Sequence, residues 1–511
     1  MLPLGGALAL LGCAGQEKPA QDKPNIVFIL ADDMGYGDVS ALNELSRINT
    51  ENIDRMAAEG VVMTDAHTCS SVSTPSRYGL LTGRYCWRSE LKEGVLDGYS
   101  APLIKPGRRT VATMLGDNGY TTACIGKWHL GWNWSGMERG RDSVDFSKPV
   151  SEGPVTRGFD YFYGIAASLD MAPYVYLEND AVTAPPDRVT VNRGKFSWWR
   201  EGPTGADFVH ERVLPHLTDK AVGYIRSHAG GPQPFFLYLP LPAPHTPILP
   251  TEEFLGKSGL NAYGDFVLMV DDVVGRIMDA LDECGIAGNT VLVFTTDNGC
   301  SPEADFEELE AKGHDPSYIY RGYKSDLFDG GHRVPCLIRW PDRLVHRAVD
   351  RTVCLTDFYA TFASIVGYRV TDCEAEDSYD LMPLLTGGGG AATVREATVS
   401  HSIDGEFTIR RGRWKLLLSP GSGGWSFPAA GRDDGVLAAL PPVQLYDMEA
   451  DPEEGVNVCR LYPDTVEALR ALLTRYVRDG RSTPGAPQRN DGPEIWGQLK
   501  WMAGEGAPEH H

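Results

Sequence analysis

The amino-acid sequence predicts an α/β fold: a large, mostly parallel sheet sandwiched by helices, with a smaller C-terminal lobe of antiparallel sheet and one helix. Two observations predict it. Short apolar, β-rich runs at 25–30, 121–125, 234–239 and 290–295 alternate with stretches of helical period at 52–60, 110–119, 208–227 and 263–281. That alternation is the pattern of parallel strands covered on both faces. Beyond residue 387 it gives way to a hairpin and a helix. At 511 residues, with 42% apolar and 10% aromatic content, the chain can bury a large core and hold more than one lobe. Its net charge of −22 argues against non-specific binding to nucleic acid or to an anionic membrane face.

From the N-terminus, residues 1–13 are Leu-, Ala- and Gly-rich and end Leu-Leu-Gly-Cys13. They resemble the end of a bacterial lipoprotein signal, with Cys13 as the lipidated residue, and are too short for a transmembrane span. A periplasmic or lipid-anchored location at the bacterial cell envelope is expected. The chain is accordingly divided into a signal segment and tether (1–23), a catalytic domain (24–386) and a C-terminal subdomain with a Pro/Gly-rich tail (387–511).

The 25–30 run ends in Asp32 and Asp33. Adjacent carboxylates after a core strand are costly unless a cation sits between them, though a capped turn before a helix would also place them there. Residues 52–60 have helical spacing and a Gly stop, and 61–67 read as a strand. Pro75 suits a helix first turn, so residue 73 falls at a helix N-terminus, where free N–H groups favour an anion. Arg77 and Arg84 add charge. The 121–125 strand ends in Gly-Lys127-Trp-His129-Leu-Gly; alternate spacing puts Lys127 and His129 on one face of an extended chain. Residues 184–205, rich in Pro, Gly and Trp, read as a loop on the rim. The 234–239 strand leads into a proline-rich stretch that pins His245, and the 290–295 strand into Thr-Asp297-Asn298-Gly. A polar insertion at 301–320 precedes Arg-Gly-Tyr-Lys324, and a flexible break at 387–390 precedes the hairpin at 407–418 and the helix at 464–478. The ten Cys show no C-x-x-C pair; at most one or two disulfides are expected, with Cys124, Cys336 and Cys354 as buried small hydrophobes.

Read from Ser73, the string S-T-P-S-R-Y-G-L-L-T-G-R resembles the signature of the type I, formylglycine-dependent sulfatases, with every fixed position filled. G-K-W-H-L-G, A-P-H-T-P, T-D-N-G and R-G-Y-K resemble further strings of that family, and the likeness covers most of residues 24–480. It implies an alkaline-phosphatase-like fold and a sulfuric ester hydrolase. It implies that Ser73 is oxidised to formylglycine by a radical-SAM maturase; Cys69 is out of register with Pro75. It also implies one Ca²⁺ held by Asp32, Asp33, Asp297, Asn298 and residue 73, and an all-oxygen set of this kind favours Ca²⁺ or Mg²⁺ over zinc. The catalytic set implied is Ser73, Arg77, Lys127, His129, His245 and Lys324. In it His129 is the base that collapses the modified side chain, His245 the leaving-group acid, and the lysines the sulfate contacts. A looser resemblance to bacterial carbohydrate sulfatases, in A-S-L-D-M-A-P-Y and G-S-G-G-W-S, suggests a sulfated saccharide of galactose or N-acetylgalactosamine, with Asp170, His314, His401 and Trp425 as pocket candidates. Two alternatives stand beside it: a phosphate or phosphonate monoester hydrolase of the same superfamily, and a non-catalytic glycan-binding lipoprotein that keeps Ser73 unmodified.

Overall fold

The computed structural model describes residues 23–388 and 394–502. Its centre is a ten-stranded sheet in which Thr290–Thr296, Asn25–Ala31, Phe235–Pro240, Thr121–Lys127 and Tyr161–Ile165 lie side by side and parallel. Asn25–Ala31 shows why the run is continuously apolar. Val27 and Ile29 pack into one core with the helices Glu51–Glu59, Val213–His228 and Ala262–Glu283. Ile26, Phe28 and Leu30 pack into a second with Ser73–Thr82, Val111–Asp117 and Phe358–Val366. Each such fully buried side chain contributes roughly 1.5–3 kcal/mol, so a polar residue at any of these positions would unfit the strand for its place.

The flanks are mixed. Cys336–Arg339 joins the central sheet antiparallel to Thr290–Thr296. The 61–67 run, expected as one strand, is broken at Thr64-Asp65 into Val61–Met63, in the main sheet, and Ala66–His67. The second piece pairs with Arg333–Val334 and Val353–Cys354 in a separate three-stranded sheet. Residues 184–205 are not a loop: Pro186–Asn192 and Trp199–Gly205 form an antiparallel hairpin with two register shifts. Its prolines and glycines lie on a short two-stranded ribbon outside the main sheet, where they cost little.

C-terminal to this lies a four-stranded antiparallel sheet, Thr398–His401, Phe407–Arg411, Trp414–Leu417 and Gln444–Asp447, covered by the helix Pro463–Asp479. Val399, Phe407, Ile409 and Leu416 meet Leu469, Leu473 and Tyr476 there, together with Tyr85 and Trp87 from the first lobe. The nine described cysteines are all free. Cys13, the signal segment and part of the 387–390 break lie outside the described residues. No helix among the described residues is long and apolar enough to cross a membrane.

Candidate active site

The carboxyl ends of the parallel strands open on one edge of the sheet, the place where open α/β folds bind ligands. Asp32 and Asp33 follow Asn25–Ala31, Lys127 ends Thr121–Lys127, and Asp297 and Asn298 follow Thr290–Thr296. His245 follows Phe235–Pro240. Ser73 is the first residue of the helix Ser73–Thr82, which stops at Gly83. Gly83 has φ +63°, and a Cβ there would lie 2.8 Å from that of Ala375, so both backbone and space call for glycine.

These residues converge. Ser73 Oγ is 3.1 Å from Asp32 Oδ1 and 3.5 Å from Asn298 Oδ1. Lys127 Nζ lies 2.6 Å from Asp32 Oδ2 and 3.5 Å from Ser73 Oγ. Lys324 Nζ donates to Asp33 Oδ2 at 2.8 Å, and His245 Nε2 stands 3.5 Å from the same oxygen. Arg77 donates through Nε and Nη2 to Asp297 Oδ2 at 3.0 and 2.7 Å and through Nη1 to the Lys127 carbonyl. Asn298 Nδ2 donates to Asp33 Oδ1 at 2.7 Å, leaving its carbonyl oxygen toward Ser73. All are buried. Asp33 and His129 have φ of +66° and +56°, conformations that cost about 1–3 kcal/mol each and tend to mark functional sites.

Three buried carboxylates thus face three buried cations. Burial alone would raise Asp32, but Lys127, His245, Arg77 and Lys324 together hold it well below the usual carboxylate range. Burial and then the neighbouring Asp32 push Asp297 up to about 6 in spite of Arg77. Burial lowers Lys127, whereas for Lys324 Asp33 and Asp32 outweigh burial and raise it. Burial, with Lys127 and Arg77, holds His129 well below its usual value, so it is a neutral imidazole. Its Nε2 donates to the Leu96 carbonyl at 2.7 Å, and its buried Nδ1 has no protein partner and is free to take a proton.

Asp32, Asp33 and His245 bring ligand atoms within 4.8 Å of one another. The surrounding donors are carboxylate oxygens, the Asn298 carbonyl and Ser73 Oγ, a set that fits a hard divalent cation.

Beside Ser73 lies a cavity of about 300 Å³. His129, His245 and Lys324 line its floor, and Asp170, Arg200 and Trp425 its walls. Asp170 binds Arg200 through Oδ2, while its buried Oδ1 has no hydrogen-bond partner. Of the four saccharide candidates, Asp170 and Trp425 reach this cavity; His314 and His401 do not. His314 is buried with its Nε2 2.8 Å from Asp38 Oδ1. His401 is buried with its Nδ1 donating to the Cys69 carbonyl at 3.1 Å. Both tie their segments to distant parts of the chain, His314 to Asp38 and Arg47 and His401 to Cys69. Sequence reasoning passed over Arg200, Trp198 and Glu303, which also line the cavity. Trp198-Trp199-Arg200 was the available signal, hidden by reading 184–205 as a loop.

Fold and site together define an anion-handling α/β enzyme, with its cationic groups gathered around Ser73 and a set of oxygen donors that suits a hard cation. A family model described as Sulfatase matches residues 24–368, and the chain belongs to the sulfatase family; it is a sulfuric ester hydrolase. It is 34% identical over 93% of its length to an N-acetylgalactosamine-6-O-sulfatase of Bacteroides thetaiotaomicron, covering 98% of that protein. It is 31% identical to arylsulfatase A of Bos taurus, over 93% of this chain and 92% of the relative. A solved Bacteroides thetaiotaomicron structure, titled for the metabolism of multiple glycosaminoglycans, superposes with a TM-score of 0.78 at 33% identity, over 89% of this chain and 99% of that one. A phosphonate monoester hydrolase of Agrobacterium radiobacter shares the fold, at a TM-score of 0.56 and 19% identity, over 88% and 95% of the two chains.

Proposed function

We propose that the protein removes O-sulfate from N-acetylgalactosamine or galactose in a glycan, at the 6-position, with residue 73 acting as formylglycine derived from Ser73. The observation that carries the reading is the cavity: cations at its floor beside Ser73, and a carboxylate with an unpartnered oxygen and an indole on its walls. An anionic ester is drawn to the floor, while hydroxyl groups and a pyranose face meet the walls. The 6-O-sulfated N-acetylgalactosamine named for the Bacteroides thetaiotaomicron relative supports the choice of sugar and position.

Asp32, Asp33, Asp297, Asn298 and residue 73 would hold Ca²⁺, which supplies charge stabilisation to the sulfuryl group. The hydrated aldehyde at residue 73 supplies two hydroxyls on one carbon, one to attack sulfur and one whose deprotonation releases sulfate. The protein's own side chains do the rest. Lys127 and Lys324 bind the sulfuryl oxygens and stabilise their charge in the transition state. His245 protonates the departing sugar oxygen. His129, neutral and with Nδ1 free, takes a proton from the residue 73 hydroxyl. Arg77 fixes Asp297 and the Lys127 backbone, keeping the cradle rigid.

Peptide mass analysis across residues 73–84 and a panel of defined sulfated saccharides test the proposal. Loss of about 2 Da at Ser73, together with sulfate release from 6-O-sulfated galacto-configured sugars, is expected. Modified protein that cleaves phosphonate or phosphate esters but no sulfate ester would sink it.

A further inference from the structure

A buried cluster behind the cradle plays no part in that chemistry, and none of its side chains lines the cavity. His67, on Ala66–His67, and His332 face each other Nδ1 to Nδ1 at 2.9 Å. Their outer nitrogens decide the protonation. His67 Nε2 is 2.9 Å from Asp65 Oδ1, and His332 Nε2 is 3.0 Å from the Leu327 carbonyl. A carbonyl only accepts. So does Asp65, which Arg333 and Arg410, each at 3.0 Å, hold well below the usual carboxylate range against the opposing effect of burial. Both Nε2 atoms therefore carry hydrogen. Two neutral rings so held would meet lone pair to lone pair, and a buried contact of that kind is repulsive.

We propose that His67 and His332 share one proton beyond their neutral complement, with the His67 imidazolium donating from Nδ1 to Nδ1 of His332, and that this charged pair positions the cradle. His67 is the donor because its Nε2 meets Asp65 directly, whereas His332, which shares the influence of Asp329, stands nearer Lys415. The pair acts on the site through the backbone. The His332 carbonyl accepts from Thr68 N at 2.8 Å, on the segment that runs into Ser73. The Gly331 carbonyl accepts from Gly299 N at 2.9 Å, next to Asn298. A Cβ on Gly299 would lie 1.8 Å from the Gly330 carbonyl oxygen, so the two segments are pressed together and a shift in one moves the other.

A metal ion is the rival for the same two lone pairs, since His67, Asp329 and His332 place ligand atoms within 4.8 Å of one another and the Nε2 partners are of the kind that orient metal-bound imidazoles. Charge and distance favour the proton. Asp329 and Glu454 each lie 2.7 Å from Lys415 Nζ, and Arg333 also reaches Asp329 at 3.3 Å. Asp65 and Asp329 are thus already matched by Lys415, Arg333 and Arg410, and burial pushes Glu454 up to about 7, so nothing in the cluster is left to balance a divalent charge. A separation of 2.9 Å suits a hydrogen bond, whereas two nitrogens on one tetrahedral zinc stand roughly 3.3 Å apart.

Burial makes the proton of His67 easier to lose than an exposed histidine's. The pair is therefore closed at mildly acidic pH and opens as pH rises toward neutrality. Nitrogen-15 NMR of the full-length protein labelled at histidine is the primary test. Expected is a buried histidine with both nitrogens protonated at mildly acidic pH, absent in His67→Gln. The second readout is kinetic, and it rests on the sulfatase reading, as the NMR does not. In His332→Asn the side-chain amide can donate to a neutral His67, so the proton is no longer needed. Wild type loses roughly tenfold in kcat as the pair opens, in line with small displacements at a site, with KM little changed, whereas His332→Asn shows no such step. Native protein in which His67 is never doubly protonated overturns the proposal, and so does one equivalent of zinc that is lost in His332→Asn.

Discussion

Replacing Arg77 by alanine is the sharpest test of how the cradle is held. Arg77 is fully buried and makes two hydrogen bonds to Asp297 Oδ2, at 3.0 and 2.7 Å, and one to the Lys127 carbonyl at 3.0 Å. Asp297 is already pushed up to about 6 with Arg77 in place, by burial and by Asp32. Without the guanidinium its charge is unpaired, and breaking a buried ion pair from one side costs about 3–5 kcal/mol. If the cradle holds Ca²⁺ as proposed, the loss will be largest in chelator, because the cation would offset part of the missing positive charge. Urea denaturation with calcium and with chelator measures both quantities. Arg77→Ala with Asp297→Asn completes a double-mutant cycle, and the double variant should recover much of the single variant's loss, since no charge is then stranded. A loss below about 1 kcal/mol in chelator, or additive single losses, would refute an ionised Asp297 dependent on Arg77.

Ser73→Ala should abolish turnover while leaving a sulfated saccharide bound, because Lys127 and Lys324 remain; calorimetry with the unreacted substrate checks this. Trp425→Ala should raise KM for a saccharide about tenfold, a loss of about 1.4 kcal/mol, and leave a small aryl sulfate ester nearly unaffected. Burial pushes His401 down to about 4 and His210 to about 3, so both are neutral in the folded protein at neutral pH. The unfolded chain takes up protons at those positions below about pH 6.5. Their share of stability is therefore full above that pH and is lost as pH falls toward the folded values, by about 1.4 kcal/mol per unit for each group. His401→Gln should remove one such increment from the slope of unfolding free energy against pH between those limits, and an unchanged slope would contradict a neutral His401.

Much of the site was legible because each strand delivers its polar residues at its carboxyl end. Asp32, Lys127, His245 and Asp297 stand far apart in sequence, yet continuous apolar runs before each one marked four parallel strands and hence one shared edge. The spacing could not show that Lys127 would bind Asp32, or that Arg77 would reach Asp297 across 220 residues, since such pairs depend on how the strands are ordered. The cavity walls were harder to read. Arg200 sits on a hairpin whose glycines and prolines hide its strand character, and it meets Asp170 only through tertiary folding. His314 and His401 were candidates through the resemblance alone, and a histidine in a sequence carries no sign of what it packs against. The break at Thr64-Asp65 was missed for a related reason: the hydrophobic pattern runs through it, and only the second sheet gives the short Ala66–His67 piece its partners.

Ser73 is 2% exposed, and the segment just before it is bridged by Ser70 to His401, more than three hundred residues later. A modifying enzyme with a binding cleft of its own needs that stretch as free chain. If Ser73 is oxidised as proposed, its oxidation would belong to a window in biosynthesis, before the C-terminal sheet docks. Variants that slow the docking of that sheet would lengthen the window, and those that hasten it would leave a larger share of the folded protein permanently inactive. Loss of function through a C-terminal substitution can thus be a matter of timing, with the finished fold itself intact.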